Sequence, residues 1–152
     1  VFCAFGWVAL LALAAVQPRI SAVTAGPGAA AFASAEDARM WMTVGNQRFA
    51  IRLADTAAGR AFAAQLPLTL DMRDLNRNEK YAELPQALRA TAEPPGTIRS
   101  GDLMLFGTDT LVVFYLSFRS SYAYTRLGRV EGPGGLAQAL GTQGVRVMFS
   151  RD

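Results

Sequence analysis

Residues 102–116, Asp-Leu-Met-Leu-Phe-Gly-Thr-Asp-Thr-Leu-Val-Val-Phe-Tyr-Leu, decide the fold. Two apolar runs, Asp102–Phe106 and Thr110–Leu116, are split by the turn residues Gly107-Thr108-Asp109, the pattern of two strands. The second run is apolar at every position from Leu111 to Leu116, as expected of a strand covered on both faces. Downstream, Tyr122–Val130 reads as a strand with Tyr122, Tyr124 and Arg126 on one face and Ala123, Thr125 and Leu127 on the other. Upstream, Phe49, Ile51 and Leu53 alternate with Arg48, Ala50 and Arg52, a half-buried strand. Gly45-Asn46 joins it to an earlier apolar set, Met40, Met42 and Val44, as a hairpin. Leu68-Thr69-Leu70 and the alternating Val145, Val147 and Phe149 add two more strands.

Two short helices complete the pattern. One runs over Ala57–Gln65, capped by Asp55 or Thr56 and stopped at Leu66-Pro67. The other, Leu136–Leu140, lies between Pro133-Gly134-Gly135 and Gly141. The segment Met72–Ser100, long, polar and carrying Pro85, Pro94 and Pro95, reads as an irregular connection of the kind that often carries function. Seven or so short strands with two helices predict a mainly β, closed barrel, since closure removes unpaired edges.

Composition narrows the chemistry. There is no histidine, and the single cysteine, Cys3, lies in the apolar leader. Ser-His and Cys-His nucleophiles and the common zinc sites are therefore excluded, and the domain after the leader has no disulfide. Phe5–Val16 has the length of a signal-peptide apolar core, shorter than the roughly 20 residues of a membrane span. Ala33-Ser34-Ala35 then offers a cleavage site before Glu36. The expectation is a leader over 1–35 and a barrel domain over 36–152, secreted or periplasmic, touching membrane only through the leader before cleavage. No Lys or Arg precedes the apolar run, and initiation at Met40 would instead give a cytoplasmic protein. The leader carries Arg19 and no acid, so residues 36–152 keep fourteen basic and twelve acidic side chains, a net charge of +2. Lys80 is the one lysine, and the arginines are scattered among acids, which argues against a nucleic-acid partner.

Leu66-Pro67-Leu68-Thr69-Leu70, the run Leu75–Tyr81, Leu84-Pro85, Pro95–Ile98, Gly101–Met104, Phe114-Tyr115 with Phe118, and Tyr122–Gly128 stand in that order along the chain. Together they resemble the bacterial cyclophilin-like fold proteins. The similarity covers Met40 to Phe149, with Arg77 standing where Gly is expected and Leu116 where Lys is frequent. The resemblance implies a closed eight-stranded cyclophilin-like barrel with a helix closing each end. It does not imply prolyl isomerase activity, because the Phe-His-Arg motif of true cyclophilins is absent and both tryptophans, Trp7 and Trp41, stand early in the chain.

Two clusters are candidate binding sites. Tyr122, Tyr124 and Arg126, with Phe114 or Tyr115 and Phe118 as further walls, suit a pocket in which rings stack and a guanidinium grips a carboxylate or carbonyl. The alternative is ordinary strand packing. Glu79, Lys80 and Tyr81, beside Asn76 and Asn78, suit a general base or an anion site, or else a solvated Asn-rich turn. Asp71, Asp74 and Glu79 match no calcium-loop spacing, and Ser120 or Ser121 with Lys80 matches no nucleophile motif. Gly132-Pro133-Gly134-Gly135 lacks the phosphate-loop pattern. No catalytic residue, metal or cofactor is expected. The reading is a barrel that binds a small molecule or extended peptide through Glu79, Lys80, Tyr81, Phe114, Phe118, Tyr122, Tyr124 and Arg126. A divergent prolyl isomerase using Arg126, and a structural or protein-interaction domain, are the alternatives.

Overall fold

The computed structural model describes residues 39–152; the expected leader lies outside them. Ten strands form: β1 (Met40–Val44), β2 (Gln47–Leu53), β3 (Leu68–Leu75), β4 (Glu79–Glu83), β5 (Gly96–Ile98), β6 (Asp102–Phe106), β7 (Thr110–Phe114), β8 (Phe118–Ser120), β9 (Thr125–Val130) and β10 (Val145–Arg151). Eight of them close an antiparallel barrel in the order β1-β10-β3-β4-β7-β6-β9-β2, and β5 pairs with β8 as a separate ribbon. Among the described residues no helix is long and apolar enough to cross a membrane.

The barrel interior is what the period-2 pattern predicts. Met40, Met42, Phe49, Ile51, Leu103, Leu105, Leu111, Val113, Val147 and Phe149 form one buried cluster. Helix α1 (Ala57–Ala64) is capped by Thr56, whose Oγ1 accepts from the Gly59 N–H at 3.0 Å. It adds Phe62, whose ring meets Phe149 edge-on at 5.7 Å. Helix α2 (Leu136–Leu140) contributes Leu136 and Leu140 to the same cluster. Where β2 and β9 cross closely, Gly128 is required: a Cβ there would stand 2.5 Å from the Arg52 carbonyl.

The segment expected to be irregular is corrected in its first part. Met72–Glu83 belongs to a hairpin, β3 and β4, in which Arg73 pairs with Tyr81, Asp74 with Lys80 and Leu75 with Glu79. Asn76 and Arg77 turn the chain at φ 54° and 58°. That left-handed geometry suits Gly and Asn, and it explains why the resemblance leads one to expect Gly at the position Arg77 holds. The strand expected from Tyr122 instead begins at Thr125; Tyr124 makes a single bridge to Glu93, and Tyr122 lies in the loop before it. A register shift opposite Leu103 and Met104 then interrupts the alternation along β9.

Candidate functional site

β7 is covered on both faces, and its second cover builds the site. While Leu111 and Val113 face the interior, Val112 and Phe114 face outward. There they join Met104 of β6, Ile98 of β5 and Tyr124 in a second buried cluster, flanked by Tyr81 and Phe118. The β5–β8 ribbon thus lies against the outer surface of β4, β7 and β6. Phe114 is the aromatic floor, edge-on to Phe118 at 5.7 Å and to Tyr124 at 5.5 Å, and Phe106 tilts against Tyr124 at 5.7 Å.

A cavity of about 660 Å³ opens beside this cluster. β4 supplies its alternate residues Glu79, Tyr81 and Glu83, β7 supplies Thr110 and Val112, and β6 supplies Phe106. Phe118, Arg119, Ser120, Ser121, Tyr122 and Tyr124 form the opposite wall, with Leu75 and Asn76 at the hairpin end. Its size falls within the ordinary range of ligand pockets, about 300–1,000 Å³.

Glu79 is the electrostatic centre of the cavity. The residue is 7% exposed, and its carboxylate has no hydrogen bond or ion pair among the described residues. Burial, and after it the negative charge of Asp74, push its carboxyl above the ordinary glutamate value. The Tyr124 hydroxyl is likewise pushed up, first by burial and then by the charge of Glu79, with Ser120 acting in the opposite direction. Carboxylate and phenol therefore line one partly desolvated space.

The expected site residues separate into two groups. Glu79, Tyr81, Phe118, Tyr122 and Tyr124 line the cavity. Phe114 supports it from beneath as part of the buried cluster. Lys80 and Arg126 stand elsewhere. Lys80 alternates with Glu79 along β4 and so points into the barrel, fully buried, where its Nζ donates to Asp74 Oδ2 and the Gln143 carbonyl, both at 2.6 Å. The Tyr115 hydroxyl donates to the same Asp74 oxygen at 2.6 Å, which makes Tyr115 part of this internal network. Burial raises the Asp74 pKa, but hydrogen bonds from Lys80 and Tyr115, the Lys80 charge and the Arg77 N–H outweigh it and hold the carboxyl below the usual value. Lys80 is thus no partner for Ser120 or Ser121 across the cavity. Arg126 lies 3.5 Å from Asp102, whose other oxygen accepts the Arg99 N–H at 2.9 Å. Asp71 is engaged by Arg146 at 2.8 Å on the exposed surface, apart from Asp74 and Glu79.

Sequence reasoning missed Arg119, Phe106, Thr110, Val112 and Glu83. Phe106, Thr110 and Val112 were legible in principle, because they share the outward face of the β6–β7 pair with Met104 and Phe114. Arg119 had no such signal: β8 is three residues long, too short for an alternation to register.

A solved structure, the solution structure of the hypothetical protein AF2241 from Archaeoglobus fulgidus, is similar in fold, with a TM-score of 0.56 at 17% identity over 76% of this chain and 95% of that one. No curated protein matches the chain. The family model described as the cyclophilin-like family matches residues 42–150, all of the barrel but the ends of β1 and β10, together with its outer ribbon. With that match over an eight-stranded closed barrel carrying two helices, the chain belongs to the cyclophilin-like family.

Proposed function

We propose that this barrel is a non-catalytic binding module that takes a small molecule or a short extended peptide in the cavity between the β4–β7–β6 surface and the β5–β8 ribbon. The observation that carries this reading is the cavity itself: aromatic walls from two sides of the fold with a few convergent polar groups, Glu79, Ser120 and the Tyr124 hydroxyl. Ligand pockets are built in this way, with apolar surface for affinity and isolated polar groups for orientation. The polar anchors are Glu79 and the rim residue Arg119; Arg126 and Lys80 serve the fold. A prolyl isomerase reading loses its main support, because the arginine assigned to polarise the amide lies beside Asp102. Export through the segment Phe5–Val16 remains part of the proposal.

A thermal-shift screen of metabolites and short peptides on the full chain tests the binding reading. A ligand at 100-fold over its Kd stabilises the fold by about 2.7 kcal/mol, a readily measured shift. Thr110→Trp, at a half-exposed position in the cavity wall, is expected to abolish the shift, and Arg126→Ala to leave it intact. The reading fails if no compound shifts the melt, or if Thr110→Trp leaves every shift unchanged.

A further inference from the structure

Among the described residues, Glu79 is the least exposed of the charged residues that line the cavity. Arg119 and Glu83 line the rim and are exposed, opposite in sign and screened by solvent. Arg73 is also outside the cavity, with its guanidinium over the Tyr81 ring at 4.8 Å. Lys80, next in the chain, faces the other way and is committed to Asp74. Glu79, 7% exposed as a residue and without a hydrogen-bond donor among the described residues, opens into a cavity whose lining includes five aromatic rings.

A carboxylate in such a place is costly until a charged donor reaches it. The surroundings favour one sign of ligand. Phe106, Phe118, Tyr122 and Tyr124 bring rings to the same space, one face of Tyr81 being already taken by Arg73, and the faces of aromatic rings attract cations. An anion would instead meet Glu79 as a like charge in a low-dielectric site, with Arg119 able to hold only a group at the rim.

Resting on the binding reading above, we propose that the cavity selects ligands carrying a protonated amine on an apolar body, with Glu79 as the buried counter-ion and the tyrosine and phenylalanine rings as the walls around the ammonium. The Tyr124 hydroxyl and Ser120 line the same cavity and supply further oxygen acceptors for N–H groups. Selectivity then comes from the apolar body fitting the ring walls, and the sign of charge from Glu79.

Three probes with one indole body and different heads test this: tryptamine, tryptophol and indole-3-propionate, titrated into the full chain at pH 7 and followed by amide chemical shifts. Tryptamine is expected to bind at least about tenfold more tightly than tryptophol, the worth of a charge-assisted hydrogen bond, with shifts centred on β4, β7 and β8. Glu79→Gln is expected to bring tryptamine to within about threefold of tryptophol while the variant keeps the amide cross-peaks of the barrel, which separates a lost counter-ion from a damaged fold. If tryptophol or indole-3-propionate binds as tightly as tryptamine, the cavity still binds ligands but the amine preference is overturned. If none of the three binds while the wider screen gives hits lost in Thr110→Trp, the amine preference falls alone; if neither series binds, both readings fall.

Discussion

Replacing Asp74 by Ala strips the barrel interior of the carboxylate that holds Lys80. The lysine is 0% exposed and its Nζ keeps only the Gln143 carbonyl at 2.6 Å, so an ammonium remains inside the barrel without a counter-charge. Breaking a buried pair from one side costs about 3–5 kcal/mol. For a domain of about 115 residues each kcal/mol moves Tm by about 4 °C, so the melt is expected to fall by about 12–20 °C. Lys80→Met is milder, about 1–2 kcal/mol, because Asp74 retains the Tyr115 hydroxyl and the Arg77 N–H and its side chain still touches solvent. The double variant Asp74→Leu with Lys80→Met removes both charges and should be about 2 kcal/mol more stable than Asp74→Ala, the remaining loss coming from the Tyr115 hydroxyl and the Gln143 carbonyl left without partners. The pH dependence has a definite sign. Asp74 is held below its unfolded value, so its contribution is full above about pH 4 and is lost as pH falls through the folded value. The gap between parent and Asp74→Ala therefore narrows in acid. Urea denaturation followed by circular dichroism, at pH 7 and pH 3, measures each quantity. An Asp74→Ala loss below 1 kcal/mol, or a double variant no more stable than that single one, would refute the reasoning.

Three further outcomes are expected. Glu79 is shifted in the opposite direction to Asp74, so the folded state binds its proton more readily, stability declines as pH rises through the folded value, and Glu79→Gln should be more stable than the parent at pH 7 by about 1 kcal/mol, with the difference closing toward pH 4. Thermal melts across that range check it, and a less stable Glu79→Gln at pH 7 would contradict it. Arg77→Gly relieves a left-handed residue but loosens the unfolded chain, so denaturant titration should show a net gain of about 0.5–1 kcal/mol. N-terminal sequencing of the protein from its native host should find a start near Glu36; an intact leader in the cytosol would overturn export.

Most of the barrel was legible because its inward residues are apolar and its outward ones polar, as in β2, where Phe49 and Ile51 alternate with Arg48 and Arg52. The β3–β4 hairpin was not legible for the opposite reason. Its inward positions include Asp74 and Lys80, and the outward face carries the partly buried ring of Tyr81, so the alternation is inverted and a charged strand pair resembles a polar loop. The turn adds no signal, since Arg77 occupies a position whose φ of 58° would ordinarily call for Gly or Asn. For the site, spacing put Tyr124 and Arg126 on one face, but the chain at Tyr124 is outside the regular strand and the cavity stops short of Arg126. The ribbon over the cavity is made of strands three residues long, and nothing so short shows a period.

That inverted hairpin also ties stability to function. Glu79 and Lys80 are neighbours on β4, and a strand sends successive side chains to opposite faces. A slip of one residue in the pairing with β3 or β7 would exchange them, putting the carboxylate inside the barrel and the ammonium in the cavity. Apolar patterning cannot prevent that slip, because β4 has only Ala82 as an inward apolar residue to oppose it. The constraint must come from the polar network. Lys80 reaches Asp74 directly opposite on β3, Asp74 accepts from Tyr115 just beyond β7, and Gln143 precedes β10, so one ammonium and one carboxylate pin β4 to neighbours on both sides. A buried ion pair that sets register is the best-attested use of such a costly interaction. On this account the internal network is what aims Glu79 into the cavity, and a variant that loses the network together with both its charges, such as Asp74→Leu with Lys80→Met, should still fold while its β4 register, read from amide cross-peaks between β4 and β7, becomes heterogeneous.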